Sequence, residues 1–162
     1  MNLGKRFENN FRDSVPDDVF FYRFRDSALN FTGVNSMNMR FTPSNIADNL
    51  LFYNGSLYLN ELKHHFGKSL PFSCISSSKT KESQIKDLIN ASKYPNVYCN
   101  LIIYLSDVNK CFALDINTYY SYYSTTDKKS IPLSFLEDNA IELPVIPKKT
   151  NIKLDLSPLF KR

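Results

Sequence analysis

The chain has 162 residues, with 43% hydrophobic and 22% charged content, which suits one globular domain spanning residues 1–162. A net charge of +4 is a mild bias toward a polyanionic partner. No apolar run reaches bilayer length, the polar, periodic start MNLGKRFENNF is no signal peptide, and three unevenly spaced cysteines read as free thiols in a reducing compartment, so a cytoplasmic protein is expected.

Leu3, Phe7 and Phe11 recur every four residues, which predicts an amphipathic helix over residues 3–13, with Asn2 as N-cap and Pro16 at the exit. Residues 19–25, VFFYRFR, read as a strand from their aromatic and β-branched content. Residues 26–45 carry Gly33, Pro43 and several Asn and Ser, and read as a long connection of the kind that is functional or disordered. Residues 48–63 read as a hairpin, 64–79 as irregular, and 80–92 as a helix with Ile85, Leu88 and Ile89 facing inward. Residues 97–105 and 111–116 read as strands joined by a turn at 107–110. Residues 117–124, NTYYSYYS, fit a short helix although Tyr favours strands. Residues 130–143 alternate weakly. The basic tail from Lys148 is expected to pack loosely apart from Leu154, Leu156 and Phe160. The order helix, strand, loop, hairpin, helix, strand, strand predicts an α/β layer fold.

The hairpin carries the chemistry. Asn54-Gly55 suits a two-residue type I′ turn, because both residues tolerate positive φ. Tyr53 then pairs with Ser56, and the same register sets Asp48 opposite Glu61. Strand alternation adds Leu50, Phe52, Leu57, Leu59 and Lys63 to that face, making it apolar near the turn and ionic at the open end. Facing carboxylates destabilise a ladder unless a cation sits between them. Mg²⁺ takes oxygen ligands and keeps several waters, so Asp48 and Glu61, with the Leu62 carbonyl, are a sufficient ligand set. Lys63 is placed to orient a water or to stabilise charge on a phosphate. The set suits phosphodiester hydrolysis, and no Gly-rich phosphate loop accompanies it.

An acid followed by Glu-x-Lys on the second hairpin strand resembles the PD-(D/E)xK nuclease superfamily, with Ala47-Asp48 in place of Pro-Asp. The chain further resembles Holliday-junction resolvases of the RecU type, phage relatives included. The shared features are Gly4-Lys5-Arg6-Phe7-Glu8 in the first helix, Asp48 and then Glu61-Leu62-Lys63, Lys68-Ser69-Leu70-Pro71-Phe72, and Gln84 in the next helix. They span residues 2–105 in consistent order; residues 117–162 carry no assignable motif. The resemblance implies a restriction-endonuclease-like mixed sheet flanked by helices. It also implies a homodimer that uses Mg²⁺, with Mn²⁺ as a substitute, to nick four-way DNA junctions. By position, Asp48 and Glu61 would hold metal, Lys63 would activate water, Glu8 would complete the acidic site, and residues 26–45 would stand where the junction-entering stalk does.

Arg23, Arg25, Arg40, Lys68, Ser69 and Gln84 are the candidate DNA contacts. Plainer readings stand beside them: exposed strand cations for Arg23 and Arg25, a solvated loop for Lys68 and Ser69, and an ordinary helix residue for Gln84. Asp26 reads as the start of the loop. His64 and His65 are adjacent on a strand and point to opposite faces, so they make a poor chelate. Tyr119, Tyr120, Tyr122 and Tyr123 suit base stacking, but core or dimer packing is commoner for such a cluster. Two further functions compete with junction cleavage: a restriction-like or repair nuclease on duplex DNA, and a non-catalytic DNA-binding scaffold.

Overall fold

A computed structural model describes residues 2–24, 45–76 and 78–161. Its centre is a six-stranded mixed sheet, and the way the strands are made explains their order. Val97–Leu105 (β5) is apolar apart from Asn100, and its Leu101, Ile102, Ile103 and Leu105 are fully buried. Continuous burial is expected of a strand covered on both faces. Ser56–His65 (β3) lies parallel to β5, and Lys110–Asp115 (β6) lies antiparallel on its other side. Asn49–Tyr53 (β2) pairs antiparallel with β3, and Phe20–Arg23 (β1) pairs antiparallel with β2 at one edge. Ile141–Leu143 (β8) closes the other edge against β6.

Parallel neighbours need a crossover, and the helix Lys79–Ala91 (α3) supplies it between β3 and β5. Ser78 caps it by accepting from the Lys81 amide, two residues before the start expected at Thr80. Leu3–Arg12 (α1) is capped as expected, with Asn2 Oδ1 accepting from the Gly4 amide. Its Phe7 and Phe11 are buried while Leu3 is exposed, so the apolar stripe begins one turn late. Ile116–Thr125 (α4) starts at Asp115, which accepts from the Asn117 and Thr118 amides. That cap and the burial of Ile116 and Tyr119 override the strand preference of the tyrosines.

Each face of the sheet has its own core. Leu59, Leu101, Ile103 and Leu114 pack beneath α3 and α4, while Leu51, Tyr58, Leu62 and Ile102 pack beneath α1. The sheet is therefore flanked by helices in a mixed α/β fold. Among the described residues no helix is long and apolar enough to cross a membrane.

Three stretches depart from the sequence reading. Residues 64–79 are not irregular: β3 runs to His65, Ser69–Pro71 (β4) pairs with Ser130–Pro132 (β7), and Ser73–Ser76 (α2) forms a short helix. The weakly alternating segment holds β7, the helix Leu133–Asn139 (α5) and β8. The tail is not loose either. Val145–Pro147 (β9) and Ile152–Leu154 (β10) form a ribbon, and a 3₁₀ turn, Ser157–Phe160, buries Leu159. Short elements of three or four residues show too little periodicity to be read without their partners.

Candidate functional site

The hairpin has the anticipated register. Asn54 and Gly55 have φ of 48° and 79°, Tyr53 pairs with Ser56, and the ladder runs to Asn49 opposite Asn60. Asp48 would be next. Its amide donates to the Asn60 carbonyl and its own carbonyl accepts from Phe24, while its Oδ2 accepts from the Leu62 amide at 2.7 Å. The carboxylate is thereby turned into the end of the sheet, where β2 and β3 diverge. Facing acids repel, and the bond to a backbone N–H lets Asp48 step out of the ladder while staying beside Glu61.

Leu50, Leu57 and Leu59 join the α3-side core as alternation requires, but Phe52 is exposed near the edge strand. Farther along that face, Glu61 is 5% exposed. Its Oε1 receives the Lys63 ammonium at 2.6 Å, and its Oε2 receives the Gln84 amide of α3 at 2.8 Å. Burial, and next the charge of Asp48, push the Glu61 carboxyl up to about 7, against the opposing pull of Lys63. Two carboxylates thus stand beside one bonded ammonium, with the charge of Lys81 acting more weakly.

Glu8 lies on the other side of Asp48. It pairs with Arg23 of β1 at 2.7 Å, and these two line a narrow crevice with Arg12, Asp48, Asn49 and Leu62. Its free space is about 10 Å³, near what one water requires. Asp48 thus neighbours both groups: its charge acts on Glu61 toward α3, and it lines the crevice with Glu8 and Arg23 toward α1. Among the described residues no group of three or more His, Cys, Asp or Glu is arranged to hold a metal ion.

Gln84 is a partner of Glu61 rather than an outward-facing contact. Lys68 is exposed, its carbonyl accepts from the Leu133 amide, and Ser69 opens β4, away from the carboxylates in the hydrogen-bond network. Arg25, Asp26, Arg40 and the proposed stalk segment up to residue 44 lie outside the described residues. Tyr119 is buried, Tyr122 stacks on Phe135 at 3.9 Å and Tyr123 meets Phe72 edge-on, so most of the tyrosine cluster is packing. Cys99 and Cys111 are buried free thiols, and Cys74 is a half-buried one.

Sequence reasoning missed an amide ladder beneath the site. Asn60 donates to Asn49 Oδ1 at 3.1 Å, and Asn100 donates to Asn60 Oδ1 at 3.1 Å, joining β2, β3 and β5 on the α1 face. All three side chains are buried, and Asn100 Oδ1 has no hydrogen-bond partner among the described residues. A signal existed: Asn60 and Asn100 are polar residues inside apolar strand runs, and such residues need partners when buried.

No protein-family model matches the chain. It is 31% identical over 175 aligned residues to the SPbeta prophage-derived uncharacterized protein YotM of Bacillus subtilis strain 168, covering 98% of this chain and 85% of that protein. The chain belongs to the YotM family. With coverage that nearly complete, the YotM relation extends over the hairpin, α1 and α3 and on through the C-terminal elements beyond residue 105.

Proposed function

We propose that this YotM-family chain is a divalent-metal-dependent DNA endonuclease of restriction-endonuclease-like fold, acting on four-way junctions as a homodimer. One observation carries the reading. A nearly buried glutamate, Glu61, is crowded by a second carboxylate, Asp48, and bonded to one ammonium, Lys63, with Lys81 acting on it more weakly. Burying like charges together costs stability, and a site that keeps them is suited to a cation.

The donor set fits a hard divalent ion. Mg²⁺, or Mn²⁺ in its place, needs one or two carboxylates and otherwise holds water. Asp48 and Glu61 would hold it, with the Leu62 carbonyl as the further oxygen. When bound, such an ion supplies charge neutralisation at a phosphate and a more acidic water.

The remaining chemistry belongs to the chain. Gln84 fixes the Glu61 carboxylate by hydrogen bonding, and the Leu62 amide fixes Asp48, so both acids are oriented in advance. Lys63, held against Glu61, stands where its ammonium orients an attacking water and offsets charge developing on the phosphate oxygens. Arg23 and Arg12 at the mouth of the neighbouring crevice supply phosphate contacts, and Glu8 keeps Arg23 directed toward Asp48. The prophage origin of YotM is compatible with phage DNA processing.

The test is cleavage of a synthetic four-way junction with Mg²⁺ or Mn²⁺, beside a matched linear duplex at rising salt. Wild type is expected to nick the junction, and Asp48→Asn to lose roughly a hundredfold or more of the rate, since the ion's contribution is worth several kcal/mol. Equal nicking by both proteins would end the proposal. Preference for the duplex would move it to a duplex nuclease, and tight junction binding without nicking would leave a scaffold.

A further inference from the structure

On the α1 face, at the opposite end of β3 from the hairpin turn, lies a groove of about 480 Å³ that plays no part in the site above. Its floor is aromatic. Tyr104 stacks on Phe7 at 5.3 Å, and His64 lies 5.5 Å from Tyr104. Phe7 is buried beneath them, while His64 and Tyr104 are half-buried. Phe66, on the rim, is 72% exposed, which is costly for a large apolar ring with nothing to cover it. The turn between β9 and β10 adds Lys148 and Lys149 to the lining, and α1 adds Arg6.

The charge of this groove is one-sided. Its lining includes three cations and no Asp or Glu. None of the three cations forms an ion pair among the described residues; Arg6 donates only to Asn151 Oδ1, at 3.3 Å.

We propose that this groove binds unpaired DNA, with a base against Phe66 and the His64–Tyr104 floor and its phosphates on Arg6, Lys148 and Lys149. Flat ring faces beside a cationic rim are the two components of a single-strand site. A paired base has no free face to stack, which favours an unpaired strand over a duplex. The volume accommodates a nucleotide-sized group. The groove stands on residues separate from the proposed nuclease site, so either assignment can fail without the other.

The experiment is fluorescence anisotropy in EDTA, so that binding is read without cleavage. The probe is an oligothymidylate of about 15 nucleotides, beside an abasic strand of equal length. Wild type is expected to bind the thymidylate at least about fivefold more tightly than the abasic strand. Phe66→Ala should erase that difference. Lys148→Ala with Lys149→Ala should weaken both strands and reduce the log–log salt slope by about 1.4. These groove side chains are exposed, so the variants should fold, and unchanged circular dichroism checks it. Binding unaffected by either groove variant, or equal binding of abasic and base-bearing strands, would overturn the proposal. Tighter binding of the matching RNA would overturn its assignment to DNA.

Discussion

At the level of single residues, Glu61 is where electrostatics and fold meet. Its folded pKa of about 7 lies above its ordinary 4.5 because burial and Asp48 both disfavour the charged form. Between those values the folded chain keeps a proton that the unfolded chain has released. The stabilisation is therefore complete below pH 4.5 and is lost as pH rises through 7. The full span is worth up to about 3 kcal/mol. Urea unfolding from about pH 4 to about pH 8 should show this decline in wild type, and Glu61→Gln should flatten it. Millimolar Mg²⁺ should restore stability at the alkaline end in wild type alone. A pH profile unchanged in the variant would show that Glu61 is not the titrating group. Glu61, Lys63 and Gln84 were all legible as candidates in the sequence. The reach of Gln84 across to Glu61 was not, because a contact between a helix and a strand depends on how the crossover packs. The same holds for Glu8, whose partner Arg23 is fifteen residues away.

At the level of elements, the β2–β3 hairpin sets the spacing of the acids. Its register was readable because it rests on local chemistry: two residues that accept positive φ, and an alternation of apolar side chains leading away from them. Gly55 has a φ of 79°, and a Cβ there would meet no atom within 4 Å, so substitution is opposed by backbone conformation alone. Gly55→Ala should cost about 1–2 kcal/mol in chemical denaturation, since L-residues are disfavoured in that region. A neutral result would mean that the turn relaxes to accept the side chain and does not by itself fix the strand register. What local chemistry did not foretell is where the ladder stops. Asp48 leaves it because its carboxylate has a better partner in the Leu62 amide than across from Glu61.

At the level of the whole molecule, the C-terminal third completes the core rather than trailing from it. The Leu154 amide donates to Ser14 Oγ, which itself donates to the Asn10 carbonyl, tying β10 to the end of α1. Leu154, Leu156 and Leu159 then cover the α1 face of the sheet. Leu159→Ala should destabilise the fold by about 2–5 kcal/mol, measured by urea unfolding, because the cavity opens in a packed core. Loss well under 1 kcal/mol would return the tail to the status of a loose appendage.

Taken alone, the sequence determined the elements whose signals are local: α1 with its Asn2 cap, the Asn54-Gly55 turn and its register, the buried run of β5, and the acidic end of the hairpin. Such features depend on neighbours within a few positions, so they survive reading in one dimension. Only the tertiary structure decided that Asp48 stands between two groups on opposite faces, that three asparagines bridge three strands, and that Phe66 shares a groove with Lys148 and Lys149. Those relations join residues far apart in the chain, and they exist only after burial of both faces of the sheet has chosen which segments meet.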